Sequence, residues 1–129
     1  MYEKLINLLN NSYSPYSKFA VASIVVMKDG KEYNGVNVEN ASYGACNCAE
    51  RSAIFSAISN GYKRYDFDKL YVMCSSNDIG MPCFICRQVI SEMFKKDKDI
   101  ICMNPKGESK ILKVSELCPY PFDDKTLNS

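Results

Sequence analysis

The chain contains no histidine, and this absence limits the chemistry that it can use. Imidazole ligation is not available, so a zinc site here must rely on thiolates instead. The chain also has no excess of charge of either sign, since 16 Lys and Arg residues stand against 15 Asp and Glu residues. Without a basic surface, the sequence predicts no nucleic-acid partner and no anionic-membrane partner.

Long apolar segments are absent as well. No stretch approaches the roughly 20 apolar residues that a membrane span needs, and the first residues lack the apolar core of a signal peptide. We therefore expect a cytoplasmic protein that makes no use of a membrane. With 129 residues, 47% of them hydrophobic, the chain predicts one domain over 1–129.

Cysteine is the residue type that the sequence does have in quantity, with seven in total. Thiols stay reduced in the cytosol, so this odd number favours metal binding or redox chemistry over a disulfide framework. Cys83 and Cys86 form a C-x-x-C pair, and Cys48 stands well upstream, two residues before Glu50. The simplest interpretation of Cys74, Cys102 and Cys118 is that they are small core residues.

Hydrophobic periodicity and turn signals predict alternating helices and strands. The predicted helices cover residues 2–12, 48–60 and 83–95, with a helical turn at 115–117, and the predicted strands cover residues 19–27, 31–38, 70–74, 100–103 and 111–114. This order predicts an α/β fold, a single three-layer α/β/α domain whose mixed sheet of about five strands has helices on both faces. The polar residues from about 123 onward are predicted to form a flexible tail.

The cysteine spacing suits a catalytic zinc ion, which usually takes three protein ligands and leaves its fourth position to water. At the start of a helix, Cys83 and Cys86 share one face, where the helix dipole favours thiolates. Two residues along an ideal helix are about 200° apart, so Cys48 must lie at the entrance of its own helix if Glu50 is to approach the same metal. Glu50 would then be a neighbour of the metal and not a ligand.

The charge of such a site gives Arg51 a predicted role. Three thiolates and a hydroxide around Zn²⁺ leave a net negative charge that weakens the metal as a Lewis acid. A guanidinium that donates to the sulfurs would offset part of this charge, so we expect Arg51 to tune the metal from just outside its ligands.

These residues carry a resemblance to a known family. Cys48-Ala49-Glu50 followed by Pro82-Cys83-x-x-Cys86 resembles the cysteine form of the signature of zinc-dependent nucleoside and base deaminases. Further segments resemble small homotetrameric cytidine deaminases in the same order and at similar spacing, at residues 16–19, 37–40, 46–51 and 86–90. The resemblance covers nearly the whole chain and implies a cytidine deaminase-like fold.

What the resemblance implies is hydrolytic deamination, in pyrimidine salvage, of cytidine and 2′-deoxycytidine to uridine and 2′-deoxyuridine plus ammonia. Zn²⁺ would be held by Cys48, Cys83 and Cys86 and would activate the water that attacks C4 of the cytosine. Glu50 would be the catalytic residue that moves the protons.

The same resemblance implies a set of substrate contacts. Phe19 would pack against the pyrimidine, Asn37 and Glu39 would hold the ribose 3′-hydroxyl, and the backbone N–H of Ala49 would bind the base carbonyl. Phe122 would reach the site of a neighbouring subunit in a homotetramer with shared sites. Without the resemblance, pattern alone would place Phe19 in the core and the polar residues on the surface.

Other functions stay open at this stage. Cys46 could complete a closed four-cysteine site in a zinc-stabilised binding module without catalysis. A deaminase could also act on guanine, on a nucleoside analogue or on cytosine within nucleic acid. Phe84 and Ile85 stand where family members commonly have small residues, so crowding of the base pocket or a shifted loop would alter the substrate range.

Overall fold

The structure is a computed structural model that describes residues 1–128. The helices are α1 (Tyr2–Leu9), α2 (Ala49–Ser59), α3 (Phe84–Met93), α4 (Val114–Leu117) and α5 (Asp124–Asn128), and the strands are β1 (Val21–Met27), β2 (Glu32–Val36), β3 (Phe67–Cys74), β4 (Asp99–Met103) and β5 (Ser109–Lys113). A short 3₁₀ turn at Tyr43–Ala45 lies between β2 and α2.

The five strands form one mixed sheet in the order β2-β1-β3-β4-β5. β1 pairs antiparallel with both β2 and β3, and β4 pairs antiparallel with β5. β3 and β4 are the parallel pair, because α3 carries the chain from the end of one to the start of the other. Between β1 and β2 the turn uses Gly30 at φ +89°, a conformation that glycine adopts without steric cost.

Helices cover both faces of this sheet. On one face Leu5 of α1 packs against Ala22, Ile24 and Met73. On the other face α2 and α3 close the larger core, in which the rings of Phe67 and Phe94 lie 5.0 Å apart. The predicted three-layer fold and its five-stranded mixed sheet are therefore confirmed.

Two element boundaries differ from the sequence-based prediction by three residues, and the others differ by less. β3 begins at Phe67, three residues before the predicted strand, because the register continues through Lys69, which pairs with Val26. Polar residues at this end conceal the strand from a hydrophobic pattern. α1 ends at Leu9, earlier than predicted.

The segment after residue 123, predicted as a flexible tail, contains the short helix α5. Arg64 Nη1 lies 3.0 Å from Asp124 Oδ2, so an ion pair connects the start of this helix to the body of the fold. Ser129 lies outside the described residues. No helix within residues 1–128 is long and apolar enough to cross a membrane.

Candidate metal and active site

Three cysteine sulfurs meet where α2 and α3 begin. Cys48 is the N-cap of α2 and Cys83 is the N-cap of α3, and both have extended backbone angles. Cys86 lies in the first turn of α3, and its backbone N–H donates to Cys83 Sγ. Sequence reasoning predicted that Cys48 lies at a helix entrance, and the structure confirms this placement.

The spacing of the three sulfurs fits a metal ion. All three Sγ atoms lie within 4.8 Å of one another, and Cys48 Sγ is 3.7 Å from Cys83 Sγ. A tetrahedral zinc ion with Zn–S bonds of about 2.3 Å separates its sulfur ligands by about 3.8 Å. The cluster therefore has the dimensions of a three-thiolate site.

Cys46 has a different environment. Its Sγ accepts from the backbone N–H of Asn40 at 3.2 Å, and it lies outside the cluster that the other three sulfurs form in the described chain. A closed four-cysteine arrangement is therefore not formed, which removes the structural basis for an inert zinc-stabilised module.

Arg51 contacts the cluster directly. Its Nη2 donates to Cys48 Sγ at 3.3 Å, since residue 51 lies one helical turn beyond the N-cap. A hydrogen bond from the Cys86 thiol, together with the Arg51 guanidinium, lowers the pKa of Cys48 to about 5. The same contact with Cys48, together with burial, raises the pKa of Cys86.

Glu50 is the buried carboxyl group beside these sulfurs. Only 4% of its surface is exposed, and burial raises its pKa to about 7. Nearby charge on Cys48 acts in the same direction, whereas Arg51 opposes it. A carboxyl group with a pKa near neutrality is able both to accept and to donate a proton in neutral solution.

Cys48, Cys83, Glu50 and Arg51 line one pocket of about 290 Å³. Its wall also contains four of the residues that the resemblance suggested for substrate contacts, namely Phe19, Asn37, Glu39 and Ala49. The structure therefore brings together residues that lie far apart in the sequence. Phe122 does not line this pocket in the described chain; its carbonyl oxygen accepts from Gln88 Nε2 at 2.7 Å and its side chain is exposed.

Several lining residues escaped sequence reasoning, among them Val72, Cys74, Gly80 and Met81. Cys74 was predicted as a core residue and is buried, but it also forms part of the pocket wall. Their position in the sequence could have predicted part of this, because the segment between the end of β3 and Cys83 has to pass beside the cluster.

Gly35 is another position that sequence reasoning missed. A Cβ atom there would lie 2.3 Å from the carbonyl oxygen of Ala49 and 2.5 Å from the backbone nitrogen of Ala53. Only glycine lets β2 approach the first turn of α2 this closely. Gly35 thereby seats the turn that carries Cys48 and Glu50.

Phe84 and Ile85 do not crowd the pocket. They are 77% and 63% exposed, and within the described chain neither belongs to the pocket wall. The guanidinium carbon of Arg87 lies 4.4 Å from the centre of the Phe84 ring, which packs the ring along α3. Crowding of the base pocket, one of the two alternatives for these residues, is therefore not seen within the described chain.

Two solved structures with a similar fold are cytidine deaminases. The enzyme of Burkholderia pseudomallei superposes with a TM-score of 0.89 at 39% identity, covering 94% of this chain and 95% of that one. The enzyme of Mycobacterium leprae superposes with a TM-score of 0.77 at 36% identity, covering 93% and 95%.

Sequence comparison specifies the family. Residues 1–103 match the family described as "Cytidine and deoxycytidylate deaminase zinc-binding region". The cytidine deaminase of Halalkalibacterium halodurans is 39% identical over 98% of this chain and 94% of its own length. The chain therefore belongs to the cytidine and deoxycytidylate deaminase family, and its three-cysteine cluster is able to hold the metal of this zinc-binding family.

Proposed function

We propose that this protein catalyses the hydrolytic deamination of cytidine and 2′-deoxycytidine to uridine and 2′-deoxyuridine plus ammonia. The observation that carries the proposal is the buried carboxyl group of Glu50 beside a cluster of three cysteine sulfurs, two of whose residues line the same pocket. The names of the relatives above, at high coverage of both chains, support the choice of substrate.

In this proposal Cys48, Cys83 and Cys86 hold Zn²⁺. When bound there, zinc supplies Lewis acidity and an activated water for attack at the amino-bearing carbon of the pyrimidine. Arg51 donates to Cys48 and reduces the excess negative charge of three thiolates, which preserves the acidity that the metal offers.

Glu50 performs the proton transfers. Its carboxylate accepts a proton from the attacking water and delivers it to N3. It then accepts the second proton from the same oxygen, now bonded to the pyrimidine carbon, and delivers it to the amine, which departs as ammonia. Because burial brings its pKa to about 7, one carboxyl group is able to take both roles at neutral pH. Burial also excludes bulk water, which strengthens each electrostatic contact within the pocket.

The pocket wall supplies the substrate contacts. The ring of Phe19 packs against the pyrimidine, and the backbone N–H of Ala49, at the start of α2, donates to the base carbonyl. Asn37 and Glu39 bind the ribose 3′-hydroxyl, since residues two apart on an extended segment face the same side. An amide together with a carboxylate is able to donate to and accept from that hydroxyl.

The test is direct. Purified protein loaded with zinc is incubated with cytidine, and the absorbance change that accompanies uridine formation is followed. We expect turnover of cytidine and deoxycytidine but not of cytosine or guanine. Absence of turnover of both nucleosides by zinc-loaded protein would refute the proposal, and turnover of guanine alone would replace it with another deaminase activity.

We further propose a cytoplasmic homotetramer in which Phe122 completes the site of a neighbouring subunit. Its exposed ring, with no place in the pocket of its own chain as described, supports this arrangement. Truncation before Phe122 should reduce turnover while the subunit stays folded. A fully active monomer in sedimentation experiments would contradict the shared site.

A further inference from the structure

The backbone N–H and the backbone carbonyl of Phe19 are each hydrogen-bonded to a side chain. Its N–H donates to Ser17 Oγ at 3.0 Å, and its carbonyl oxygen accepts from Asn37 Nδ2 at 2.8 Å. Its ring lines the pocket and is 43% exposed. Since the ring has an open side, its position depends on these backbone contacts more than on packing.

Ser17 is itself held by Glu39. One carboxylate oxygen, Oε1, accepts from the backbone N–H groups of Tyr16 and Ser17 at 3.0 and 3.1 Å. The other, Oε2, accepts from the hydroxyl of Ser17, which leaves the oxygen of that hydroxyl to accept from Phe19. Hydrogen bonds to an ionised carboxylate are stronger than neutral ones. A continuous chain of hydrogen bonds therefore joins Glu39 to the backbone of Phe19.

Lys18, between Ser17 and Phe19, has a backbone conformation that these contacts hold in place. Lys18 has φ +61°, a left-handed conformation that non-glycine residues seldom adopt. Such a conformation persists where surrounding bonds hold it. Here Lys18 N–H donates to the carbonyl of Ser14 at 3.0 Å, and Glu39 and Ser17 fix the backbone on both sides of it.

We propose that Ser17 is a positioning residue that links the ring of Phe19 to the carboxylate of Glu39. Phe19, proposed to contact the base, and Glu39, proposed to contact the ribose, are then positioned together. This inference rests on the proposed function for the identity of the substrate, although the link itself concerns only residues of this chain. Ser17 acts through its two partners and does not itself line the pocket in the described chain.

The link predicts a specific kinetic effect. Cys48, Cys83, Cys86 and Glu50 are placed by α2 and α3, whereas Ser17 belongs to the loop before β1. Loss of the Ser17 hydroxyl should therefore weaken substrate binding and leave the chemical step and the zinc content nearly unchanged.

The first experiment needs no substrate. Hydrogen exchange of residues 14–20 is measured by mass spectrometry in the zinc-loaded wild type, in Ser17→Ala and in Ser17→Thr, which keeps the hydroxyl. We expect the exchange rate of the Phe19 amide to rise about tenfold in Ser17→Ala, because one hydrogen bond is lost. In Ser17→Thr the rate should stay near that of the wild type. Unchanged exchange in Ser17→Ala would overturn the proposal.

Ser76→Ala is the matched control. Ser76 Oγ accepts from the backbone N–H of Asp78 at 3.1 Å, with the same two-residue spacing as the contact between Ser17 and Phe19. This variant removes a similar local bond whose donor and acceptor both lie outside residues 14–20. Exchange of residues 14–20 in Ser76→Ala should match the wild type, and an equal rise there would show that the effect is not specific to Ser17.

The second experiment tests whether Ser17 acts through Glu39. In Ser17→Ala we expect KM for cytidine to rise about tenfold while kcat stays within about twofold. In a Glu39→Gln background the further effect of Ser17→Ala should disappear, because the two side chains act as one unit. Additive effects, or a fall in kcat alone, would overturn the proposal. If the wild type turns over no cytidine, the proposed function fails, and the exchange measurement still decides the role of Ser17.

Discussion

The starts of α2 and α3 face each other across the cluster, and both place a cysteine at the N-cap. The two helices differ in the residues of their first turns. The first turn of α3 contributes a second sulfur, Cys86, and two exposed apolar side chains. The first turn of α2 contributes the buried carboxyl group of Glu50 and the guanidinium of Arg51.

This comparison separates two tasks. α3 supplies two of the three sulfurs and has no acidic residue in its first turn, so its start serves to hold the metal. α2 supplies one sulfur together with the acid–base group and the cation that contacts Cys48. We expect the loss of a sulfur from either helix start to act through loss of metal, and the loss of Glu50 from α2 to act with the metal still bound.

The largest effect should follow from Cys83→Ala. Removal of one of three ligands leaves two sulfurs, too few for a stable tetrahedral site, so zinc and turnover should both be lost. Elemental analysis of the purified variant checks this, with Cys118→Ala as a control outside the cluster. Full zinc occupancy in Cys83→Ala would contradict the ligand assignment.

Glu50→Gln should distinguish the proton-transfer role of α2 from the metal-binding role of α3 most clearly. The amide keeps the size of the side chain and cannot move protons, so we expect full zinc content and a loss of turnover of about 10²- to 10⁴-fold. Glu92→Gln, an exposed residue of α3, is the matched control and should keep wild-type turnover. Retained turnover in Glu50→Gln would exclude the proton-transfer role.

Arg51→Gln should have an intermediate effect. Loss of the guanidinium raises the pKa of Cys48, so protons compete better with the metal and zinc loading shifts to higher pH. We expect zinc affinity near neutral pH to fall about tenfold, as measured by competition with a chelator over a pH series. Arg64→Gln, which removes a surface ion pair, is the control. Identical affinity in Arg51→Gln and wild type would show that Arg51 does not tune the site.

The smallest effect should follow from the double substitution of Phe84→Gly and Ile85→Ala. Neither side chain lines the pocket in the described chain, so KM for cytidine should stay within about twofold of wild type. Met81→Ala, which removes a lining side chain, should raise KM more. A larger effect from the double substitution than from Met81→Ala would indicate that these residues do enter the substrate site.

The sequence by itself determined the order of the main elements and predicted three members of the cluster, with Cys46 left open as a fourth. Helical and strand periodicities are local properties, and the position of each cysteine relative to its helix start follows from helix geometry. This is why Cys48, Cys83 and Cys86 could be grouped before their distances were known. The same geometry placed Glu50 beside the cluster and not within it.

Tertiary structure alone decided the contacts that depend on distant segments. Cys46 is excluded from the sulfur cluster because its loop turns the sulfur toward Asn40. The close approach of β2 to α2 at Gly35 follows from how α2 packs on the sheet. The bond between Ser17 and Glu39 joins two loops that no local pattern relates. Periodicity describes which face of an element is apolar, whereas these contacts depend on where separate elements meet, and folding settles that through the packing of the whole core.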